Sequence, residues 1–130
     1  MSRTQPHQRP LSPHLAIYKP SITMVMSVFH RITGAALFFG MLLVVAFLLA
    51  LAMGKPAFGM VQAVYGSIPG RLVLFGFSWA LFHHMLGGLR HLIWDTGAGF
   101  DRETRMRLGW MTLLGGLALT MIVWLLVLVG

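Results

Sequence analysis

Residues 32–54, ITGAALFFGMLLVVAFLLALAMG, run for 23 positions between Arg31 and Lys55 without one Asp, Glu, Lys or Arg. A helix needs about 20 mostly apolar residues to cross the hydrocarbon core of a bilayer. This stretch is long enough. Two further gaps of the same kind follow, 18 residues between Arg71 and Arg90 and 23 after Arg107. The middle gap is marginal, but long cationic side chains at its ends can bury their stems and keep their heads at the interface, which lengthens the usable span. The expected architecture is an all-α membrane protein with three transmembrane helices, at about 26–52, 68–93 and 107–129. The bulk composition agrees: 57% of the 130 residues are apolar and 10% charged, and the mean hydropathy is +0.78. At this length the chain is one domain, with no room for a second module.

The net charge of +7 raises nucleic acid as a partner, but the placement of the cations argues against it. They sit at helix ends, with no basic groove and no interleaved aromatic platform. Arg3, Arg9, Lys19 and Arg31 precede or open the first helix, and Arg90, Arg102, Arg105 and Arg107 flank the second connection. Only Lys55 and Arg71 flank the first connection. The positive-inside rule therefore places the N-terminus in the cytoplasm (or matrix) and the C-terminus on the periplasmic side. No early apolar core with a cleavage site marks a secretory signal. The absence of cysteine excludes disulfides, covalent haem attachment and thiolate-ligated clusters in this chain, so a redox metal would have to use histidine.

Along the chain, residues 1–20 carry four of the six prolines and no sustained helical period, which reads as an extended cytoplasmic arm. A disordered tail is the competing reading, although the apolar LAIY at 15–18 suggests docking. Lys55 to Gly70 is expected as an outer loop, broken by Pro56, Gly59, Gly66, Pro69 and Gly70. The second helix ends near Asp95, TGAG at 96–99 is a stop, and Asp101 to Arg107 is a charged turn. Trp110 and Trp124 are expected as interface anchors of the third helix, whose Gly115, Gly116 and Ala118 suit close packing.

Two constellations carry chemistry. In SVFHRITG (27–34), a helical period puts Thr23, Ser27, His30, Arg31 and Gly34 on one stripe. That stripe suits the wall of a pocket for a polar, partly anionic group such as a quinone carbonyl or a propionate. The simpler alternative is an arginine reaching to headgroups. In FHHMLGGLRHLIWD (82–95), His84 lies six residues, about 9 Å along a helix, from Arg90. If Arg90 marks the interface, His84 is inside the membrane, where an ionisable group usually has a partner or a job. Ala80, Gly87 and Gly88 on its side would let a flat group approach the backbone, or would pack another helix. Haem ligation and a packing histidine both remain open at this point. His83 points about 100° away and reads as a packing residue; His91 lies at the surface level. His84 and His91 share a helix face and cannot clamp one iron, and His30, next to Arg31, is expected at a shallower depth than His84. A six-coordinate haem would then draw its second ligand from another chain. Asp95 reads as polar termination of the helix, a partner for Arg31 or Arg90, or a carboxylate on a proton path.

The segments SPHLAIYKP (12–20), SITMVMSVFHRITG (21–34) and HMLGGLRH (84–91), followed by WD at 94–95, resemble the cytochrome b subunit of succinate dehydrogenase, respiratory complex II. The resemblance runs in motif order from about Arg9 to Asp95, and the three-helix layout extends it to the end. It departs from the commonest pattern at His83, where a tyrosine or another bulky residue is frequent. The resemblance implies a b-type haem with His84 as one axial ligand and the other ligand from a second small membrane anchor subunit. It further implies a ubiquinone site lined by Ser27 and Arg31, and haem propionates near His30, Arg31 and His91. The iron–sulfur and flavoprotein subunits would be held on the cytoplasmic side, against the arm. Electrons from succinate would reach quinone through partner clusters, in a bacterial inner membrane rather than a mitochondrial one. A different class of function, a small transporter or channel subunit using the histidines for protons or metal, is the alternative.

Overall fold

The computed structural model describes residues 20–130, and the arm expected over 1–20 lies outside the described residues except for Pro20. Four helices follow one another: α1 (Ile22–Met53), α2 (Lys55–Gly66), α3 (Ile68–Asp95) and α4 (Arg102–Val129). Three of them, α1, α3 and α4, are long and apolar enough to cross a membrane. All described secondary structure is helical.

The helix ends follow from local chemistry. Ser21 caps α1, its side chain accepting from the Met24 N–H at 3.4 Å, so α1 starts four residues before the expected position 26. At its other end Gly54 has φ +91°, a left-handed conformation that costs glycine no steric strain. Ser67 caps α3 by accepting from the Gly70 N–H at 3.2 Å. Asp101 caps α4 by accepting from the Thr104 N–H at 2.8 Å, which holds its carboxyl below the usual carboxylate range. The expected charged turn 101–107 is therefore the cap and opening turns of α4, with a Glu103–Arg107 ion pair one turn apart.

The segment expected as an outer loop is instead mostly helical. Pro56 falls at the first turn of α2, where its missing N–H has no intrahelical partner to lose. The helix is then tied down by tertiary contacts: the Tyr65 hydroxyl donates to the Leu43 carbonyl at 2.6 Å, and Phe58 meets Phe47 edge to face at 5.7 Å. Gly70 is not a breaker either. An added Cβ there would collide with the Val64 carbonyl and the Tyr65 backbone, so glycine permits the tight junction of α2 and α3.

Helix α3 is the central element, touching α1, α2 and α4. Apart from Met26, the interior is small or polar rather than greasy. Buried positions include Ala50, Ala80, Gly87, Gly109 and Gly116, with Thr33, Thr112 and Thr120. Large apolar side chains such as Phe38 (76% exposed) and Leu126 (68%) point outward. This inversion is what lipid demands: tails solvate Phe and Leu as well as a protein core does, so small residues that let backbones approach drive helix association. The buried hydroxyls close on their own helices, Thr112 donating to Leu108 and Thr120 to Gly116, each at 2.8 Å. Of the two expected interface anchors, Trp110 is half-exposed. Trp124 instead binds α4 to α3, its Nε1–H donating to Ser78 Oγ at 3.3 Å.

Candidate functional site

The site forms where the first third of α1 meets the second half of α3. Two glycines and two histidines interlock there. The His84 ring lies over Gly34, whose hypothetical Cβ would sit 2.9 Å from His84 Cε1. Reciprocally, His30 fills the space over Gly87, where an added Cβ would collide with the His30 Nδ1. The two imidazoles stack face to face, with centroids 3.9 Å apart and planes 4° from parallel.

This contact corrects the expectation that His30 lies shallower than His84. Arg31 does not mark the mouth of α1, because the helix begins at Ile22, nine residues and about 13 Å earlier. His30 thus reaches the level of His84. Even at equal depth the pair cannot clamp an iron. Axial nitrogens must point at each other along one line through the metal, whereas lone pairs of stacked rings lie in parallel planes.

The glycines read as a haem-edge cradle are used differently. Gly87 is occupied by His30, while Gly88 has open space within 4 Å of a hypothetical Cβ. The expected stripe on α1 also divides. His30 and Gly34 turn toward α3, whereas Ser27 and Arg31 are exposed on the flank of the helix. A pocket at Ser27 and Arg31 would take its opposite wall from outside this chain.

Several residues gather around the pair. His91, exposed, lies 5.5 Å from His30 between centroids. It meets Trp94 edge-on at 5.2 Å. The Arg90 guanidinium sits 5.1 Å from the Trp94 ring centre, a cation–π contact. Arg90 does not reach outward as a snorkelling side chain would. It is 4% exposed, and its Nε and Nη1 are buried without a hydrogen-bond partner. His83, 1% exposed, is packed against Trp79 (5.3 Å) and the edge of Phe29 (6.2 Å), with the backbone of Gly116 close to its Cα. Asp95 ends α3 on the surface and has no ion pair among the described residues.

Thr33, Trp79 and Trp94 were not singled out as site residues from sequence. Thr33 lies three positions after His30 in the HRITG motif, and that spacing was the available signal. Its hydroxyl donates to the Phe29 carbonyl at 2.8 Å and to the His30 carbonyl at 3.1 Å. His84 Nδ1 lies 3.1 Å from that same His30 oxygen and 3.4 Å from Thr33 Oγ1.

The arrangement can be tested against a haem b. Such a group needs one imidazole nitrogen with a free lone pair and donors for its propionates. With Nδ1 engaged, His84 Nε2 has no hydrogen-bond partner among the described residues. Arg90 brings two unpaired buried nitrogens, Nε and Nη1, and Arg31 and His91 are exposed. No group of three or more His, Cys, Asp or Glu side chains among the described residues is placed to hold a metal ion. These residues fit one half of a haem site, with a single ligand from this chain.

Comparison with known proteins gives the context. Residues 5–127 match the family described as Succinate dehydrogenase/Fumarate reductase transmembrane subunit. The succinate dehydrogenase cytochrome b556 subunit of Rickettsia conorii is 37% identical over 118 residues, covering 91% of this chain and 92% of the relative. The subunit of the same name from Paracoccus denitrificans is 36% identical over 95 residues, 73% of each chain. The cytochrome b560 subunit of Reclinomonas americana is 34% identical over 126 residues, 90% of this chain and 85% of its own. A chain matched along nearly its whole length by this family, with three spanning helices and the histidine cluster between them, belongs to the succinate dehydrogenase/fumarate reductase transmembrane subunits.

Proposed function

We propose that this chain is the membrane-anchoring cytochrome b subunit of a succinate:quinone oxidoreductase, contributing half of a b-type haem site and part of the ubiquinone-reduction site. The observation that carries the reading is the state of His84. One ring nitrogen is engaged by a backbone carbonyl, the other has no hydrogen-bond partner among the described residues, and Arg90, six residues further along α3, is buried with its Nε and Nη1 unpaired. The names of the relatives, cytochrome b556 and b560 subunits, support a b-type haem. In this reading His84 Nε2 would ligate the haem iron from this chain, and a second small anchor subunit would supply the other ligand. Arg90, Arg31, His30 and His91 would hold the haem propionates. The haem, when bound, supplies one-electron redox chemistry.

Ser27 and Arg31 act on the quinone. Quinone reduction takes up two electrons and two protons. The Arg31 guanidinium stabilises the negative charge that develops on the ring oxygens, and the Ser27 hydroxyl donates a hydrogen bond. Succinate oxidation and the iron–sulfur clusters belong to flavoprotein and iron–sulfur subunits on the cytoplasmic side, against the arm at 1–20. The eight-to-two distribution of cations supports that orientation. The Rickettsia and Paracoccus relatives support a bacterial inner membrane.

The test is a reduced-minus-oxidised spectrum of the whole complex, purified through this chain, beside His84→Ala, His83→Ala and Arg31→Ala versions. A b-type signal lost with His84→Ala and kept with His83→Ala is expected. Arg31→Ala should slow quinone reduction while succinate oxidation with an artificial acceptor survives. A spectrum indifferent to His84, or equal loss of both activities in Arg31→Ala, would refute the corresponding half of the assignment.

A further inference from the structure

The neutral imidazole carries one proton on one of two nitrogens, and its neighbours decide which. His84 Nδ1 is 3.1 Å from the His30 carbonyl oxygen. A carbonyl only accepts, so Nδ1 must carry the proton and the lone pair falls on Nε2. The second group near Nδ1, Thr33 Oγ1 at 3.4 Å, is ambiguous in principle, because a hydroxyl donates or accepts. Here its proton is committed: Oγ1 lies 2.8 Å from the Phe29 carbonyl and 3.1 Å from the His30 carbonyl. Both are acceptors, so the hydroxyl hydrogen points back along α1 and its oxygen lone pair faces His84. Thr33 is 2% exposed, so solvent does not compete for either bond.

We propose that Thr33 is a positioning residue for the haem ligand. Its hydroxyl, oriented by two backbone carbonyls of α1, forms with the His30 carbonyl a two-acceptor clamp on the His84 Nδ1–H. The clamp keeps Nε2 bare for iron and holds the ring against Gly34. The inference rests on the reading of His84 as an axial ligand. Partners that accept from the second nitrogen of a ligating histidine orient its ring and raise its basicity, and their loss costs roughly 10–100-fold in metal affinity. The carbonyl is the shorter arm and remains when the hydroxyl is removed, so an effect at the low end of that range is expected.

A purely structural role for the hydroxyl is the rival explanation, and the fold supplies its own control. Thr112 makes the same bond to the carbonyl four residues back, also at 2.8 Å, and its hydroxyl reaches no imidazole, since only its backbone bonds His83. Loss of that hydroxyl should affect helix packing alone.

The experiment uses the intact complex with Thr33→Val, which keeps the shape and loses the hydroxyl, Thr33→Ser, which keeps the hydroxyl, and Thr112→Val. Two readouts are the midpoint potential of the haem and its transfer rate to apomyoglobin. Thr33→Val should raise the potential, because a less basic imidazole stabilises the ferric state less, and should speed haem loss by roughly tenfold. Thr33→Ser and Thr112→Val should leave both near the parent values. Unchanged values in Thr33→Val, or a Thr33→Ser variant shifted as far as Thr33→Val, would overturn the clamp while leaving the ligand assignment intact. The same complex carrying His84→Ala separates the two ideas. If it retains its low-spin haem signal, Thr33 has no ligand to position, and both the clamp and the reading beneath it fall.

Discussion

Replacing Gly34 by alanine adds a single methyl group at the point where α1 supports the His84 ring. The new Cβ would sit 2.9 Å from His84 Cε1, whereas carbon atoms in good contact stay about 3.5–4.0 Å apart. The ring or the helix must therefore retreat by about 0.6–1 Å. The ring has little freedom, because its other face is stacked on His30 and its Nδ1 bonds the His30 carbonyl at 3.1 Å. A retreat of that size takes the hydrogen bond toward the limit of useful geometry, a loss of about 1 kcal/mol. Overpacking of a fitted contact costs about 1–3 kcal/mol in addition. Alanine recovers at most about 1 kcal/mol through helix propensity. The balance is a destabilisation of about 1–3 kcal/mol, concentrated at the proposed ligand. Gly88→Ala is the matched control, since its Cβ would meet nothing within 4 Å. Haem retention and resistance of the purified complex to SDS unfolding should both fall for Gly34→Ala and hold for Gly88→Ala. Equal behaviour of the two variants, or a stabilised Gly34→Ala complex, would falsify the interlocked histidine–glycine packing.

Two smaller predictions concern the ends of the helices. The Asp101 carboxyl is held below its usual value of 3.8 by the Thr104 amide, so its capping contribution is complete above about that pH and is lost as pH falls through the lowered folded value. Amide protection at the start of α4, taken relative to the intrinsic exchange rate at each pH, should fall only in that acid range; Asp101→Asn, still a good cap, should remove that fall, and protection already lost at pH 6 would contradict the assignment. Tyr65→Phe deletes the hydroxyl that donates to Leu43 and should cost about 1 kcal/mol. Exchange within Lys55–Gly66 should then rise about fivefold with α3 and α4 unaffected, whereas no change there would show that α2 is held by Phe58 and its other contacts.

The arginine–histidine pairs show where reading along the chain stops being informative. Arg31 and Arg90 each border a charge-free stretch, and taking them as markers of the membrane surface was reasonable from order alone. Both lie inside helices, Arg31 nine residues after the start of α1 and Arg90 five residues before the end of α3. α1 starts at Ile22 because of a cap at Ser21 that the hydropathy pattern does not register. Arg90 is buried in the bundle with its guanidinium over the Trp94 ring. The same error of depth separated His30 from His84. Likewise, the prolines and glycines of residues 55–70 carry a loop signature in composition, but one proline sits in a first turn and one glycine is a close-approach point. The meaning of such residues depends on position within an element, which tertiary contacts set.

By itself the sequence determined the number of spanning helices, their approximate limits, the stop at 96–99 and the motifs that align with the family. Those properties depend on charge-free length and on short-range chemistry, and both are local. Only the tertiary structure decided the register of α1 against α3. Register is relative, and here it is set where Gly34 and Gly87 each admit the other helix's histidine. From that register follow the stacked imidazoles, the division of the polar stripe into an inner pair and an exposed pair, and the meeting of Thr33 with His84. No periodicity within one helix encodes which turn of a second helix will face it.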